Sequence, residues 1–504
     1  MLDDIAEAIN EVLPHVMAAT GTPGVAVALA TSTELRTVAG GYADLARRVP
    51  MTCATVAPAG SLSKPVLGLG LMQVAESGDI DLDAPIDEFL PPGTRTGIPM
   101  GGGPVSSVML ASHQGGYRID TIDALLTPPG PINDYVRERH AVGRTREYGG
   151  VASLFVEPGV YSYSSFGMSL MGCAMERVTG QQYASYVDQM IFKSAEMYDS
   201  AFPTGSSEPS RWGDLSAGGS FGTGYMSFGG WCVPTPTFHS GTYPAAGLLT
   251  SPADYARLLQ RLLRTAHGQD GIVTPAGLAR MLTPRIARSS PVTSGETAAG
   301  IAFELGDRRL GEDWWWGHSA AYPWGYWWDA RVYPHRDLVV VALGNKWDMM
   351  RYANPIGWSA PGIVSRLVGR WVAAEMPSVG KFVSGHRKWP DPSTLASGWM
   401  GAIAGERIYG TLGVSERLAV ETVREMIQGA RPVGETDPSG WDGAAFERCF
   451  DAMAGVAPDP DAIARFVDGE GLAAGLWALE CGASSADFPM PIDGFARPQQ
   501  RRRR

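Results

Sequence analysis

Lysine is scarce in this chain. Of the 41 lysines and arginines only five are lysine, namely Lys64, Lys193, Lys346, Lys381 and Lys388. Basic residues as a whole are outnumbered by 52 acidic ones, which leaves a net charge of -11. That balance argues against broad binding to a phosphate backbone, which needs a basic face, so no nucleic-acid partner is expected. Cysteine is sparse too: Cys53, Cys173, Cys232, Cys449 and Cys481 are odd in number, scattered, and free of any C-x-x-C spacing. That supplies neither a disulfide framework nor a zinc site and fits reduced thiols in a cytoplasm. No apolar run of about 18 residues occurs, and the first twenty residues open with acids rather than with the basic segment of an export signal. The expectation is a cytoplasmic protein with no membrane partner. Also missing are a phosphate-cradling loop, a dinucleotide fingerprint in a strand-turn-helix setting, and H-E-x-x-H or paired-histidine metal spacing, so no cofactor and no metal are expected.

What is present suffices for one large domain and a smaller one: 504 residues, 44% of them hydrophobic. The opening stretch places Ile5, Ile9, Val12 and Leu13 near one face of an amphipathic helix. GVAVALATS and ELRTVAGGYAD alternate small or β-branched residues with polar ones and read as two antiparallel strands. A helix from Ser61 follows, with Pro65 tolerable in its first turn and Gly78 a left-handed cap at its end. Residues 79–200 carry helical patterns broken by Gly/Pro loops, and a Gly/Ser/Thr/Pro-rich stretch from Thr204 to Tyr243 reads as a long ordered loop. AAGLLTSPADYARLLQRLLR starts a helix capped by Ser251. DWWWGHS, GYWWDARVYP and DLVVVALGN read as three antiparallel strands, and PGIVSRLVGRWVAAEM as a closing helix. Strands at both ends with helices between them give an α+β class: an antiparallel sheet flanked by helices, with an all-helical insertion at about 79–200. The expected division is a catalytic domain over 1–376 and a mostly helical C-terminal extension over 377–504. That extension carries no titratable cluster and is expected to pack on the core or mediate self-association; the closing RRRR reads as a tail.

The chemistry is expected at GSLSKPVLGLGLMQVAESG. A serine hydroxyl needs a base within hydrogen-bond reach to act as a nucleophile. Residues three apart share a helix face, which sets the Lys64 amine beside the Ser61 oxygen. Burial favours the neutral amine that can take a proton, and a helix N-terminus offers N–H groups to a developing oxyanion. Ser378 and Lys381 match S-x-x-K as well, but no apolar helix follows them to fix their geometry.

At Ser61 to Lys64 the sequence resembles the serine β-lactamase and penicillin-binding-protein superfamily, most closely its class C β-lactamase-like branch of esterases, D-amino-acid peptidases and transacylases. The likeness runs from about Gly24 to about Ala374. VSSVMLASHQGG resembles that branch's LLtHtSG segment, PGVYSYSSFGMSLMG its YSN segment, AAGLLTSPAD its GGlvsTa.D segment, and WGHSAAYPWGY its GHtGgtpG strand. The resemblance implies a β-lactamase-like fold in which Ser61 is the nucleophile and Lys64 its base partner, with Tyr163 sharing the proton relay and protonating the leaving group. It places His318 and Ser319 at the third motif, and the backbone N–H groups of Ser61 and Ala321 at the oxyanion hole. Two positions depart from the pattern: Ser165 stands for the usual Asn, which donates to the substrate amide and contacts the lysine, and Ala320 for the usual Gly on a strand that substrate approaches. Both put amide-substrate binding in question. With Trp316 and Trp324 from the aromatic-rich segment Trp314–Trp328, Ser165, Ser319 and Ala320 complete the candidate substrate contacts.

Two further matches compete. His239-Ser240-Gly241 spells the third motif but sits in a Pro/Thr-rich loop with no strand around it, and Gly218–Gly222 spells a G-x-S-x-G elbow with glycines where a strand and a helix are required. The expected function is acyl transfer from a small-molecule ester or amide through an acyl-Ser61 ester, to water or to a second acceptor. The competing reading, a catalytically degenerate binding or scaffold protein, is favoured if Lys64 points away from Ser61.

Overall fold

The computed structural model describes residues 2–20, 22–45, 47–95, 103–117, 130–145, 158–159, 161–204, 221–228, 231–235, 240–285, 297–306, 314–322, 325–348 and 359–375. The expected C-terminal extension, Ser378 with Lys381, His239, Gly218 to Ser220 and Trp324 lie outside the described residues.

Helix α1 (Leu2–Thr20) leads into strands β1 (Gly24–Ala30), β2 (Leu35–Asp44), β3 (Val49–Pro50) and β4 (Ala57–Gly60). Helix α2 (Ser63–Glu76) follows, and among the described residues the regular elements of the next stretch are helical, with α3 (Ser107–Ala111), α4 (Ile132–Thr145), α5 (Ser165–Thr179), α6 (Tyr183–Val187) and α7 (Lys193–Ala195) as its α-helices. Strands β5 (Gly224–Phe228) and β6 (Trp231–Thr235), helix α8 (Tyr243–Ala246), strand β7 (Leu248–Thr250) and helices α9 (Pro252–Ala266) and α10 (Pro275–Met281) come next. The chain returns through β8 (Thr297–Ala299), β9 (Glu304–Gly306), β10 (Trp315–Tyr322), β11 (Tyr326–Tyr333), β12 (Leu338–Gly344) and β13 (Lys346–Asp348) to helix α11 (Ala360–Glu375).

Eight strands form one sheet in the order β3-β2-β1-β12-β11-β10-β9-β8. Remote segments meet at its centre, where β1 pairs antiparallel with β12, Val25 opposite Gly344 and Ala30 opposite Val339. Both faces of these central strands are covered, and side-chain alternation divides them between two cores. Ala26, Ala28, Val339, Val341 and Leu343 join the core shared with the helical insertion. Val25, Val27, Leu29, Leu338 and Val340 join a second core under α1 and α11.

Two expectations shift. The stretch from Thr204 to Tyr243 is not simply a loop: β5 and β6 pair antiparallel, and β13 adds to β5 in parallel from a remote segment, Lys346 opposite Tyr225, which the local sequence does not reveal. The helix expected from Ser61 begins at Ser63. Among the described residues no helix is long and apolar enough to cross a membrane, and no group of three or more His, Cys, Asp or Glu is placed to hold a metal ion.

Candidate active site

Ser61 stands at the junction of β4 and α2. Gly60 ends the strand with φ +49°, a conformation that side chains with a Cβ seldom adopt, and so turns the chain sharply into the helix. The Ser63 hydroxyl donates to the Gly60 carbonyl at 2.6 Å and accepts the Leu248 N–H at 2.9 Å, which pins the junction to β7. Helix α2 runs through the core with Lys64 to Met72 all buried. Its glycines permit that: a Cβ at Gly68 would lie 2.6 Å from that of Ala302.

One turn into the helix, Lys64 is completely buried. Its Nζ donates to Ser61 Oγ at 3.0 Å, to Ser165 Oγ at 3.0 Å and to the Ala245 carbonyl at 3.1 Å. An ammonium has three N–H bonds and no lone pair, so two hydroxyls and a carbonyl can satisfy it. Lys64 therefore points at Ser61. The Tyr163 hydroxyl lies 2.7 Å from Ser61 Oγ, and Lys64 Nζ sits 4.7 Å from the centre of the same phenol ring. Ser164 explains how Tyr163 arrives there: as the N-cap of α5 it accepts the Gly167 N–H at 3.0 Å, leaving Tyr163 just ahead of the helix and Ser165 in its first turn. The shorter hydroxyl of Ser165 thus still reaches the lysine, because the helix start itself stands close to α2.

The third segment enters on β10. His318 is buried there, and burial followed by the positive charge on nearby Lys64 pushes its pKa down to about 3, so the imidazole is uncharged at neutral pH. Its Nδ1 donates to the Ser319 carbonyl and lies 3.5 Å from Glu304 Oε1. Ser319 is engaged by the same carboxyl: its N–H donates to Glu304 Oε2 at 3.0 Å and its hydroxyl to Oε1 at 3.2 Å. Burial pushes the Glu304 carboxyl up to about 7, against the pull of the Ser319 N–H. Ala320 is buried with its methyl near Gly60, and Ala321 lies one residue on, opposite Trp327 in β11.

The aromatic segment differs from expectation. Trp316 has no exposed surface and packs edge-on against Phe303, so it serves the core rather than a substrate wall. Tyr322, Tyr326 and Trp328 are buried in the same core, while Trp315 faces the second core with the Arg331 guanidinium 4.4 Å from its ring centre. Alternation along a strand tells which residues share a face, not that both faces are covered. Three groups near the site carried no assignment from sequence. The Ala245 carbonyl is backbone and leaves no sequence signal. Glu304 was visible as the one acid in the apolar run IAFEL. His113 lies within VSSVMLASHQGG and packs against the Tyr163 ring at 4.2 Å between centroids.

A family model described as Beta-lactamase matches residues 9–358. Esterase EstB of Burkholderia gladioli is 26% identical over 245 residues, which cover 44% of this chain and 60% of that protein. The chain spans less than two thirds of the length of the curated relatives it matches. Among solved structures, the octameric penicillin-binding protein homologue from Pyrococcus abyssi has a TM-score of 0.58 at 21% identity over 74% of this chain and 76% of that one. The D-amino acid amidase from Ochrobactrum anthropi SV3, complexed with L-phenylalanine amide, has a TM-score of 0.53 at 21% identity over 73% of this chain and 97% of that one.

Proposed function

Because the chain belongs to the beta-lactamase family, we propose that it is a serine acyl-transfer enzyme that takes the acyl group of a small-molecule ester or amide onto Ser61. The observation that carries this reading is the placement of one hydroxyl, Ser61 Oγ, between an amine at 3.0 Å and a phenol at 2.7 Å. For either partner to accept the Ser61 proton, the Lys64–Tyr163 pair has to hold one proton fewer than its full complement. As Ser61 Oγ bonds to the substrate carbonyl carbon, its proton passes to this pair. The carbonyl oxygen gathers negative charge, which the backbone N–H groups of Ser61 and Ala321 receive. Collapse breaks the bond to the leaving group, and Tyr163 returns the proton to it, leaving the acyl-Ser61 ester. Water, or a second nucleophile in the transferase case, then attacks that ester with the same pair as base, regenerating Ser61.

Glu304 and neutral His318 border the reacting centre without a role in this sequence of steps. The name of EstB, an esterase, supports an ester as the first substrate class to try. The degenerate-scaffold alternative is not favoured, since Lys64 points at Ser61.

The test is covalent. Wild-type protein incubated with a fluorophosphonate is expected to gain an adduct on Ser61 by mass spectrometry, and Ser61→Ala is expected to gain none. Turnover of p-nitrophenyl acetate in buffer marks a hydrolase, whereas acylation that turns over only on addition of an amine or alcohol marks a transferase. A wild-type protein that neither labels at Ser61 nor turns over the ester sinks the reading.

A further inference from the structure

Both residues flanking Tyr163 are tied to one side chain and its own backbone. The carbonyl of His113 accepts the Ser162 N–H at 2.7 Å, and His113 Nδ1 accepts the Ser164 N–H at 3.2 Å. Between these two anchors the imidazole lies against the Tyr163 ring, centroids 4.2 Å apart and planes inclined by 32°. Tyr161 meets the imidazole edge-on at 5.8 Å and 82°.

The backbone of His113 is as unusual as its contacts. It follows the C-cap of α3 with φ +60°. Its N–H bonds to the Leu110 carbonyl and that of Gln114 to the Met109 carbonyl, which is the helix-ending motif in which glycine normally holds the left-handed position. Glycine there would close the helix with no strain. A histidine in its place gains the site an imidazole, and non-glycine residues persist in this conformation where their surroundings over-determine it.

We infer that His113 is a positioning residue for the Ser61 centre, a neutral imidazole that fixes the angle at which the Tyr163 phenol meets Ser61 Oγ. The inference rests on the acyl-transfer reading above. Accepting the Ser164 N–H requires an unprotonated Nδ1, so the ring proton sits on Nε2. Burial first, then positive charge on Lys64 and, when it is protonated, on His318, hold the His113 pKa well below the ordinary histidine range. An uncharged ring leaves the proton balance to Lys64 and Tyr163 themselves. His113 touches no reacting atom in this arrangement; it acts on the phenol, whose oxygen is 2.7 Å from the nucleophile. Misplacement of such a group by about 1 Å costs on the order of 100-fold in rate.

Three variants separate positioning from bulk structure. His113→Ala removes ring and acceptor; His113→Asn keeps a short acceptor and tolerates the left-handed backbone; His113→Phe keeps a ring and loses the acceptor. Each is measured for kcat and KM on p-nitrophenyl acetate, for the rate of fluorophosphonate labelling at Ser61, and for melting temperature. His113→Ala is expected to lose roughly 10- to 100-fold in kcat and in labelling rate with KM within about threefold, and His113→Asn to recover about tenfold of that loss, a rescue that mere cavity filling does not give. A folded His113→Ala that labels within about twofold of wild type overturns the inference, as does a change confined to KM. Should His113→Ala not melt cooperatively, the Asn and Phe variants decide: both at wild-type kcat overturns it. Wild-type labelling with unaffected variants sinks this inference alone, whereas no wild-type labelling sinks the acyl-transfer reading with it.

Discussion

The Ser165 hydroxyl lies 3.0 Å from Lys64 Nζ, although the two residues are 101 positions apart in the chain. It is the contact by which the first turn of α5 reaches the buried amine of α2. Removing it with Ser165→Ala leaves Ser61 Oγ and the Ala245 carbonyl as the remaining acceptors described for that amine. The expected loss is about 1 kcal/mol of stability together with a fall in kcat of roughly tenfold. Urea unfolding and ester turnover measure the two. Unchanged values for both variant properties would mean that the hydroxyl is a bystander.

Lys64→Met tests the amine itself. Methionine has nearly the length and volume of lysine, so packing is kept, while the Ser165 hydroxyl and the Ala245 carbonyl lose this donor. Ser61 loses its base at the same stroke. The expectation is a variant that still folds, with a stability loss of about 1 to 3 kcal/mol, and Ser61 acylation slowed by about 1,000-fold or more. A variant that acylates at the wild-type rate would assign the base role to Tyr163 alone.

How much of this was legible beforehand divides along physical lines. The Ser61–Lys64 pairing follows from local geometry, since three residues make nearly one helical turn, and β1 and β2 follow from their small and β-branched residues between turn signals. The start of α2 was misjudged by two residues because Ser61 and Leu62 sit in a turn whose Lys64 N–H to Ser61 carbonyl bond resembles a helical one. Contacts such as Ala245 with Lys64, or Glu304 with Ser319, join segments 181 and 15 residues apart, and no local pattern encodes them. Trp316 reads as a substrate contact from sequence because a strand sequence does not say that both of its faces are buried, Trp316 in one core and Trp315 in the other.

Two glycines beside the site are expected to respond very differently to alanine. A Cβ at Gly317 would lie 1.9 Å from the Ala330 carbonyl oxygen on the paired strand, and backbone on both sides has nowhere to go. Gly317→Ala is expected to cost more than about 3 kcal/mol and to unfold or misregister β10 against β11. At Gly60 the nearest neighbours of an added Cβ are Tyr322 and Ala320 atoms at 3.6 to 3.8 Å, so space is adequate and only φ +49° opposes it. Gly60→Ala is therefore expected to cost about 1 to 2 kcal/mol. Thermal melts of the pair check the order; equal losses would refute the steric distinction.

Glu304 and His318 should give the stability of the fold opposite slopes with pH. The Glu304 carboxyl, ordinarily near 4.5, is raised to about 7 by burial. Between those values the unfolded chain has released this proton while the folded one keeps it. Its contribution is complete below pH 4.5 and is lost as pH rises through 7. His318, lowered by burial from 6.5 to about 3, does the reverse: its contribution is complete above pH 6.5 and is lost as pH falls toward 3. At about 1.4 kcal/mol per pH unit between the two values, ionising Glu304 costs the fold on the order of 3 kcal/mol. Glu304→Gln keeps an oxygen for the Ser319 N–H and removes the titration. It is accordingly expected to gain stability relative to wild type on going from pH 5 to pH 8, with the gap widening across the interval. Urea titrations of both proteins at the two pH values read that difference directly. A gap of the same size at both would mean that the carboxyl is ionised throughout, held by the Ser319 N–H and hydroxyl strongly enough to outweigh its burial.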